Sequence, residues 1–240
     1  MISEATAFGS IKNGEKTVDM IVANIKDALI SGDIKPGDTL PSISSIAADM
    51  NVGVSSVREA LRILEALGVV EIKHGKGVSV RHCLSHNAMN PLTFQLLLIP
   101  RDGQAFYEFR RLFETASSLA ALKNATPEDI KNIKSILDVY LASNKTTSET
   151  LQHELDFHRA VFDSTHNQYI IKIGETMLDL LISSMQKIPT RMAKFEVEAS
   201  HTGIFESIRD KNDTRLNEVL DKSFEGWEYK YFHESQALTS

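Results

Sequence analysis

The chain has 240 residues, of which 42% are hydrophobic and 24% are charged, and its formal net charge is −6. This length and apolar content support a sizeable buried core and exclude a disordered or low-complexity protein. The single cysteine, Cys83, excludes an internal disulfide framework and suits a reducing compartment. Because the sequence shows no secretory signal and no apolar stretch near the roughly 20 residues that span a bilayer, we expect a cytoplasmic protein.

The acidic total argues at first sight against a nucleic-acid binder, but net charge averages over domains. Residues 1–82 carry nine Lys and Arg against ten Asp and Glu, whereas residues 83–240 carry 17 against 22. Residues 50–82 alone hold five basic and three acidic side chains. The acidity therefore lies mainly in the second part of the chain, and a locally basic stretch precedes it.

Three short helices are predicted in the first part. Apolar residues recur at helical spacing from Val18 to Ile30, and the turn Pro36-Gly37-Asp38 follows. Ser42 is a suitable N-cap for a second helix. A third helix is predicted from about Val54 to Leu67.

A β-hairpin is predicted directly after the third helix. The segments Val69–Lys73 and Gly77–Arg81 alternate like strands around the turn His74-Gly75-Lys76-Gly77. Two short helices across a tight turn, followed by a hairpin, are typical of a winged helix-turn-helix, which is a DNA-binding fold. We therefore assign residues 1–82 to a winged helix-turn-helix domain.

Four stretches of this domain carry a family resemblance: Gly32–Ser42, Val57–Leu61, Gly68–Val70 and His74–Gly77. In their order and spacing, residues 17–81 resemble the DNA-binding domain of the GntR family of bacterial transcription regulators. The resemblance implies that the start of the third helix enters the major groove of an operator and that the hairpin tip lies against the backbone. The DNA-binding residues predicted on this basis are Ser42, Ser55, Ser56, Arg58, Lys73, His74, Gly75 and Lys76.

The chemistry of these residues suits the predicted roles. Ser55 and Ser56 carry short hydroxyls for phosphate or base-edge hydrogen bonds, and Arg58 could form a bidentate contact to guanine. His74 and Lys76 at a glycine-flanked tip could reach the minor groove. A surface ion pair is the alternative role for Arg58, and a solvated turn is the alternative for the tip.

Two positions depart from the family pattern. An acidic–basic pair usually follows the Leu-Pro-Ser run, but Ile43-Ser44 stands there, and Val54 replaces a basic residue just before Ser55. These departures predict a weaker or shifted operator preference, with DNA binding retained.

The second part is predicted to be helical almost throughout. Residues 83–91 are the expected linker, and residues 92–240 are expected to form an all-helical domain. No β-alternation of useful length, internal repeat or low-complexity tract is visible there. The helices are predicted at Phe94–Leu98, Phe106–Leu122, and about 128–142, 148–164, 168–187, 191–209 and 213–232.

Looser motifs carry a second resemblance: Glu108–Glu114, Asp156–His158 with Asn167, and Ser200-His201. They resemble the effector-binding domain, called FCD, of the FadR-type branch of the same family. The whole chain is thus predicted to be mainly α. The resemblance implies a ligand-responsive regulator that acts as a homodimer on a palindromic double-stranded DNA operator, with no role at a membrane.

Many FCD domains hold a divalent metal, and the resemblance places its ligands at Glu154, His158 and His201. Glu154 and His158 are four residues apart and share a helix face, and such ligands suit Zn, Mn or Ni. Ser223 stands at the usual fourth position and is a poor ligand, so the metal site is degraded. A metal held by three ligands, a lost metal and a plain surface pair of Glu154 with His158 all remain open.

The resemblance also assigns effector binding to Arg110 and Asn167. A guanidinium can pair bidentately with a carboxylate, so the predicted effector is a small organic acid such as a hydroxy acid or sugar acid. Arg110 stands four residues before Glu114, and an intrahelical salt bridge is the alternative.

An enzyme is not expected. His153 and His158 suggest a zinc-protease motif, but their five-residue spacing spans about 500° of helix, so they miss a common face by about 140°. A metal-dependent hydrolase remains the alternative from another class. A DNA-bending protein without a ligand would not need so large a helical domain.

Overall fold

The computed structural model describes residues 17–73, 75, 77–82, 90–99, 103–142, 147–185 and 194–229. The chain forms two compact units, Met1–Pro91 and Leu92–Ser240, and each is considered by itself. His74, Lys76 and most of the predicted linker lie outside the described residues. The domain boundaries therefore stay a prediction.

The N-terminal unit contains three helices and a two-stranded sheet. Helices α1 (Thr17–Ser31), α2 (Ile43–Asp49) and α3 (Val54–Ala66) precede strands β1 (Val70–Lys73) and β2 (Gly77–Val80). The strands are antiparallel, with Val70 opposite Val80 and Lys73 opposite Gly77. This arrangement confirms the predicted winged helix-turn-helix. Its core is a single apolar cluster that includes Ile21, Ile25, Ile46, Met50, Val57, Leu61 and Val80.

Local signals set the limits of α2 and α3. The Ser42 hydroxyl accepts a hydrogen bond from the Ser45 N–H at 3.1 Å, which confirms the predicted N-cap. Helix α3 ends at Ala66 with Leu67 as its C-cap, and Gly68 follows with φ +74°, a left-handed conformation that glycine adopts without steric cost. The first signal marks the start of α2, and the second marks the end of α3.

The described part of the C-terminal unit is entirely helical, as predicted. An apolar cluster of Tyr107, Tyr140, Phe157, Ile204, Leu216 and Phe224 forms the larger core, and a smaller cluster surrounds Phe162 and Met177. Helix α4 begins at Pro91, within the predicted linker. The helices are α4 (Pro91–Leu97), α5 (Gly103–Asn124), α6 (Pro127–Ala142), α7 (Thr147–Asp163), α8 (Gln168–Met185), α9 (Lys194–Arg209) and α10 (Asp213–Tyr229).

Several helix ends are fixed by polar contacts. Thr126 and Asp129 form reciprocal hydrogen bonds at the start of α6, and the Asp129 carboxylate also bonds the His166 ring at 2.7 Å. Lys211 donates to the Leu122 and Ala125 carbonyls at the end of α5. None of the helices within the described ranges is long and apolar enough to cross a membrane.

Candidate DNA interface and effector site

Helix α3 presents a polar face to solvent. Its apolar side chains Val57, Ala60, Leu61 and Leu64 are buried, whereas Ser55, Arg58 and Arg62 are exposed. At about 100° of rotation per residue, these three polar residues fall within about 60° of one another. Together they form the recognition face of α3.

The two arginines of this face have no partner in the described part of the chain. Neither guanidinium forms a hydrogen bond or an ion pair there, although Glu59 lies between them in sequence. The ion-pair alternative for Arg58 is thus absent from the described residues. A solvent-facing guanidinium without an internal acceptor is available for phosphate or guanine.

The other predicted DNA contacts occupy varied environments. Ser56 is half-buried, and the Ser42 hydroxyl caps α2. Lys73 forms an ion pair with Glu71 at 2.9 Å, and its hydrogen bond lowers the pKa of that carboxyl. Both side chains are exposed, and water and salt screen such a pair, so a phosphate can replace the carboxylate. Gly75 is exposed with φ +73°.

A buried polar cluster lies inside the C-terminal unit. It consists of Arg110 and Glu114 on α5, His158 on α7 and His201 on α9, all with less than a tenth of their surface exposed. The Arg110 Nε donates to Glu114 Oε1 at 2.6 Å, so the intrahelical salt bridge forms. The His158 and His201 rings meet edge to face with centroids 5.2 Å apart. Four ionisable groups from three helices thus share one interior region.

Burial and charge set the protonation of this cluster. Burial by itself raises the pKa of Glu114, but the Arg110 and His158 charges and the Arg110 hydrogen bond hold it below its ordinary value. Burial lowers the pKa of His158, partly opposed by Glu114, and lowers that of His201 further, helped by the His158 and Arg110 charges. At neutral pH the cluster is therefore one ion pair beside two neutral imidazoles.

His201 has a buried polar atom that finds no hydrogen bond. Its ring stacks on Phe157 at 4.2 Å and lies 5.4 Å from the Tyr140 ring. Its Nδ1 is buried and has no hydrogen-bond partner among the described residues. A buried polar group left without a partner costs about 1–3 kcal/mol, so this atom marks a place where a bound molecule can supply the missing bond.

Family models match both parts of the chain. The model described as bacterial regulatory proteins, gntR family, matches residues 17–80, and the FCD domain model matches residues 105–225. The chain belongs to the GntR family of bacterial regulators. Its C-terminal unit is an FCD domain, which fits the FadR-type branch. The predicted class of transcription regulator, with a DNA-binding and an effector-binding domain, is confirmed.

Similar proteins agree with this assignment. The HTH-type transcriptional regulator LutR of Bacillus subtilis is 29% identical over 157 residues, which are 65% of this chain and 72% of LutR. The HTH-type transcriptional repressor NanR of Klebsiella aerogenes is 26% identical over 86% of this chain and 82% of NanR. The solved structure of Streptococcus agalactiae GntR has a TM-score of 0.62 at 18% identity, covering 87% of this chain and 97% of that chain, and shares the fold.

The FCD domain does not bring the three predicted metal ligands together. Within the described residues, no three His, Cys, Asp or Glu side chains lie close enough to hold a metal ion. The rings of His158 and His201 are adjacent, whereas Glu154 is half-buried on the same helix as His158. Burial raises the pKa of Tyr140, and the negative charges of Glu154 and Glu198 raise it further. Two imidazoles alone are fewer ligands than zinc sites use. The donor set therefore fits a divalent metal poorly.

The family resemblance also singled out Asn167 and Ser223. Asn167 is exposed at the start of α8, where its Oδ1 accepts the Tyr169 N–H at 3.0 Å, so in this structure it caps a helix. Ser223 is half-buried on α10. Sequence reasoning missed Phe157 and Tyr140 as the rings that surround His201, because buried aromatic residues at helical spacing carry no signal of their neighbours.

Proposed function

We propose that a homodimer of this chain binds a palindromic operator and that a small organic acid in the FCD domain changes its affinity for that DNA. The observation that supports DNA recognition most directly is the recognition face of α3, where Arg58 is exposed and has no acceptor among the residues that the structure describes. A regulator of this kind acts in the cytoplasm, where bacterial DNA lies, and we assign it no enzymatic role.

The dimer follows from how a winged helix-turn-helix reads DNA. One recognition helix covers only one half-site, and two-fold symmetric operators are matched by two-fold symmetric proteins. In each protomer, Ser55 would contact the backbone or a base edge at the start of α3, and Arg58 would pair with guanine. An effector that binds two dimer states unequally then shifts the operator affinity by that difference.

A hydroxy acid fits the polar cluster of the FCD domain. Arg110 supplies a positive charge that can pair with a carboxylate, and its Nε donates to Glu114. The His201 Nδ1, which has no hydrogen-bond partner in the described part of the chain, can bond a hydroxyl group beside the carboxylate. Because His158 and His201 are neutral at neutral pH, they add hydrogen-bonding capacity without a charge that would need a counterion. This combination favours an organic acid over Zn, Mn or Ni as the occupant.

The proposed DNA binding predicts a specific loss on changing Arg58. A duplex is first selected from a random-sequence pool with the full chain, and its affinity is measured by fluorescence anisotropy at fixed salt. Arg58→Ala should lower the affinity roughly 5- to 150-fold, because one bidentate base contact contributes about 1–3 kcal/mol. Lys26→Ala, which removes an exposed cation of α1, is the control and should bind like the wild type. Failure of the wild-type chain to enrich any duplex would refute the proposed function.

The proposed effector class predicts the outcome of one thermal-shift screen. Small hydroxy acids and sugar acids should raise the melting temperature of the full chain, and Arg110→Met should abolish the rise. Zn²⁺, Mn²⁺, Ni²⁺ and a chelator should leave the temperature unchanged. Stabilisation by a metal that disappears in His158→Ala would instead establish a metal site. A shift with uncharged ligands only would rule out a carboxylate effector.

A further inference from the structure

The described basic side chains of residues 50–82 fall into two groups, those that form a hydrogen bond or ion pair within the described part of the chain and those that do not. Lys73 pairs with Glu71, and the Arg81 Nε donates to the Val70 carbonyl at 3.3 Å. Arg58 and Arg62 form no hydrogen bond or ion pair in the described part of the chain. Arg58 already has a proposed role in base recognition, whereas Arg62 has none.

We propose that Arg62 is a phosphate anchor, a positioning residue that binds the DNA backbone beside the half-site read by Arg58. This inference rests on the proposed function. It also accounts for how α3 holds DNA although Ser44 and Val54 occupy positions where the family usually has a basic residue.

The position of Arg62 on α3 separates it from the base-reading residues. Arg62 follows Arg58 by four residues, which places it about 6 Å further along the helix axis and about 40° around it. It lies opposite the buried side chains Val57 and Leu61, so it points to solvent on the recognition face. The guanidinium is therefore on the same side of the helix as Arg58 but slightly more than one turn further from the N-terminus.

That distance favours phosphate over a base edge. The start of α3 enters the major groove, which is about 12 Å wide. Arg62 stands seven residues, or roughly 10 Å along the axis, beyond Ser55. A side chain this far from the inserted end reaches the wall of the groove, where the phosphates lie. A guanidinium binds phosphate well because its planar donors match two phosphate oxygens.

The acidic neighbours of Arg62 leave it available. The Glu65 carboxylate accepts the Ile72 N–H at 3.0 Å, so it is held toward β1. Glu59 is exposed and forms no ion pair with Arg62 among the described residues. Val54 is 41% exposed and Ser44 is exposed, and neither carries a charge that could take the same role.

A salt series tests this assignment. The full chain, Arg62→Gln, Arg62→Lys and Arg58→Gln are titrated with the selected duplex and with a scrambled duplex of equal length, from about 50 to about 200 mM salt. Arg62→Gln should make the negative slope of log K against log salt less steep by about 0.9. Over this salt range its affinity should therefore fall about 3.5-fold less than that of the wild type. Its affinity at the lowest salt should fall by the same factor for both duplexes. Arg62→Lys should keep the slope.

The remaining variants distinguish the failure modes. Arg58→Gln should reduce the ratio of the affinities for the selected and the scrambled duplex, whereas Arg62→Gln should preserve that ratio. Lys26→Gln on α1 is the matched control for removing an exposed cation and should keep the wild-type slope. If the wild-type chain enriches a duplex but Arg62→Gln keeps the wild-type slope, or loses affinity only for the selected duplex, the phosphate-anchor role is wrong. If the wild-type chain enriches no duplex, the proposed function is wrong, and the phosphate-anchor role, which rests on it, is wrong as well.

Discussion

Replacing Arg110 with methionine is expected to lower the free energy of unfolding by about 3–5 kcal/mol at neutral pH. The substitution preserves much of the side-chain volume but leaves the Glu114 carboxylate, which is 5% exposed, without its cation at 2.6 Å. An unpaired buried charge is the costly state, since the protein interior solvates it poorly. Urea unfolding of the full chain followed by circular dichroism measures the loss.

The pH dependence of this loss identifies its cause. With Arg110 present, the pKa of Glu114 in the folded chain lies below its ordinary value. The ion pair therefore stabilises the fold fully when the pH is above the pKa that Glu114 has in the unfolded chain, and this stabilisation is lost as the pH falls through the lower, folded-state pKa. Without Arg110, burial raises the pKa of the Glu114 carboxyl, so the chain folds most readily when that carboxyl is protonated. The difference in the free energy of unfolding between the wild type and Arg110→Met should therefore be largest at neutral pH and should shrink toward a pH of about 4.

A double substitution is the control for the buried pair. Arg110→Met combined with Glu114→Leu removes both charges and should recover most of the lost stability, because apolar residues often replace a buried ion pair without cost. It should still lack any response to carboxylates. If the free energy of unfolding of Arg110→Met lies within about 1 kcal/mol of the wild-type value, the pair of Arg110 and Glu114 is not a buried, desolvated contact.

The winged helix-turn-helix could be predicted almost completely because its signals are local. Ser42 marks the start of α2, Gly68 follows the end of α3, and the alternating strands flank a glycine-rich turn. Each of these residues acts within a few positions of itself in sequence. The exposure of Arg58 also follows from helical periodicity, since its neighbours Val57 and Leu61 form the apolar face.

The interior of the FCD domain was less predictable because it depends on contacts between distant helices. The spacing of Glu154 and His158 shows that they share a face of α7, but it does not show which part of that face turns toward His201 on α9. In the structure His158 meets His201, and the charge of Glu154 acts on Tyr140. Asn167 stands just before α8, a position that favours a helix cap, and its Oδ1 accepts the Tyr169 N–H. Its role in effector binding stays a prediction.

The effector site also depends on the aromatic residues that hold His201. Phe157 is fully buried in the larger core, and its ring stacks on His201 at 4.2 Å with an interplanar angle of 17°. The same ring meets His158 edge to face at 5.8 Å. Phe157 thus fills the space behind both imidazoles and fixes the orientation of the His201 ring, including its Nδ1.

Phe157→Ala is therefore expected to destabilise the chain by about 3–5 kcal/mol, the usual cost of deleting a buried ring and leaving a cavity. Phe94→Ala on α4 is the matched control, because Phe94 is 59% exposed and its removal should change stability by less than about 0.5 kcal/mol. Urea unfolding of the two variants gives the comparison. Phe157→Leu, which retains an apolar side chain at this position, should lie between Phe157→Ala and the wild type.

The thermal-shift response to hydroxy acids separates packing from site geometry. Phe157→Leu should fold but show a smaller shift than the wild type, because a flexible aliphatic chain cannot hold the His201 ring in one plane. Phe94→Ala should keep the full shift. Equal stability of Phe157→Ala and Phe94→Ala would contradict the buried position of Phe157. A full shift in Phe157→Leu would show that the stack on His201 does not orient the effector site.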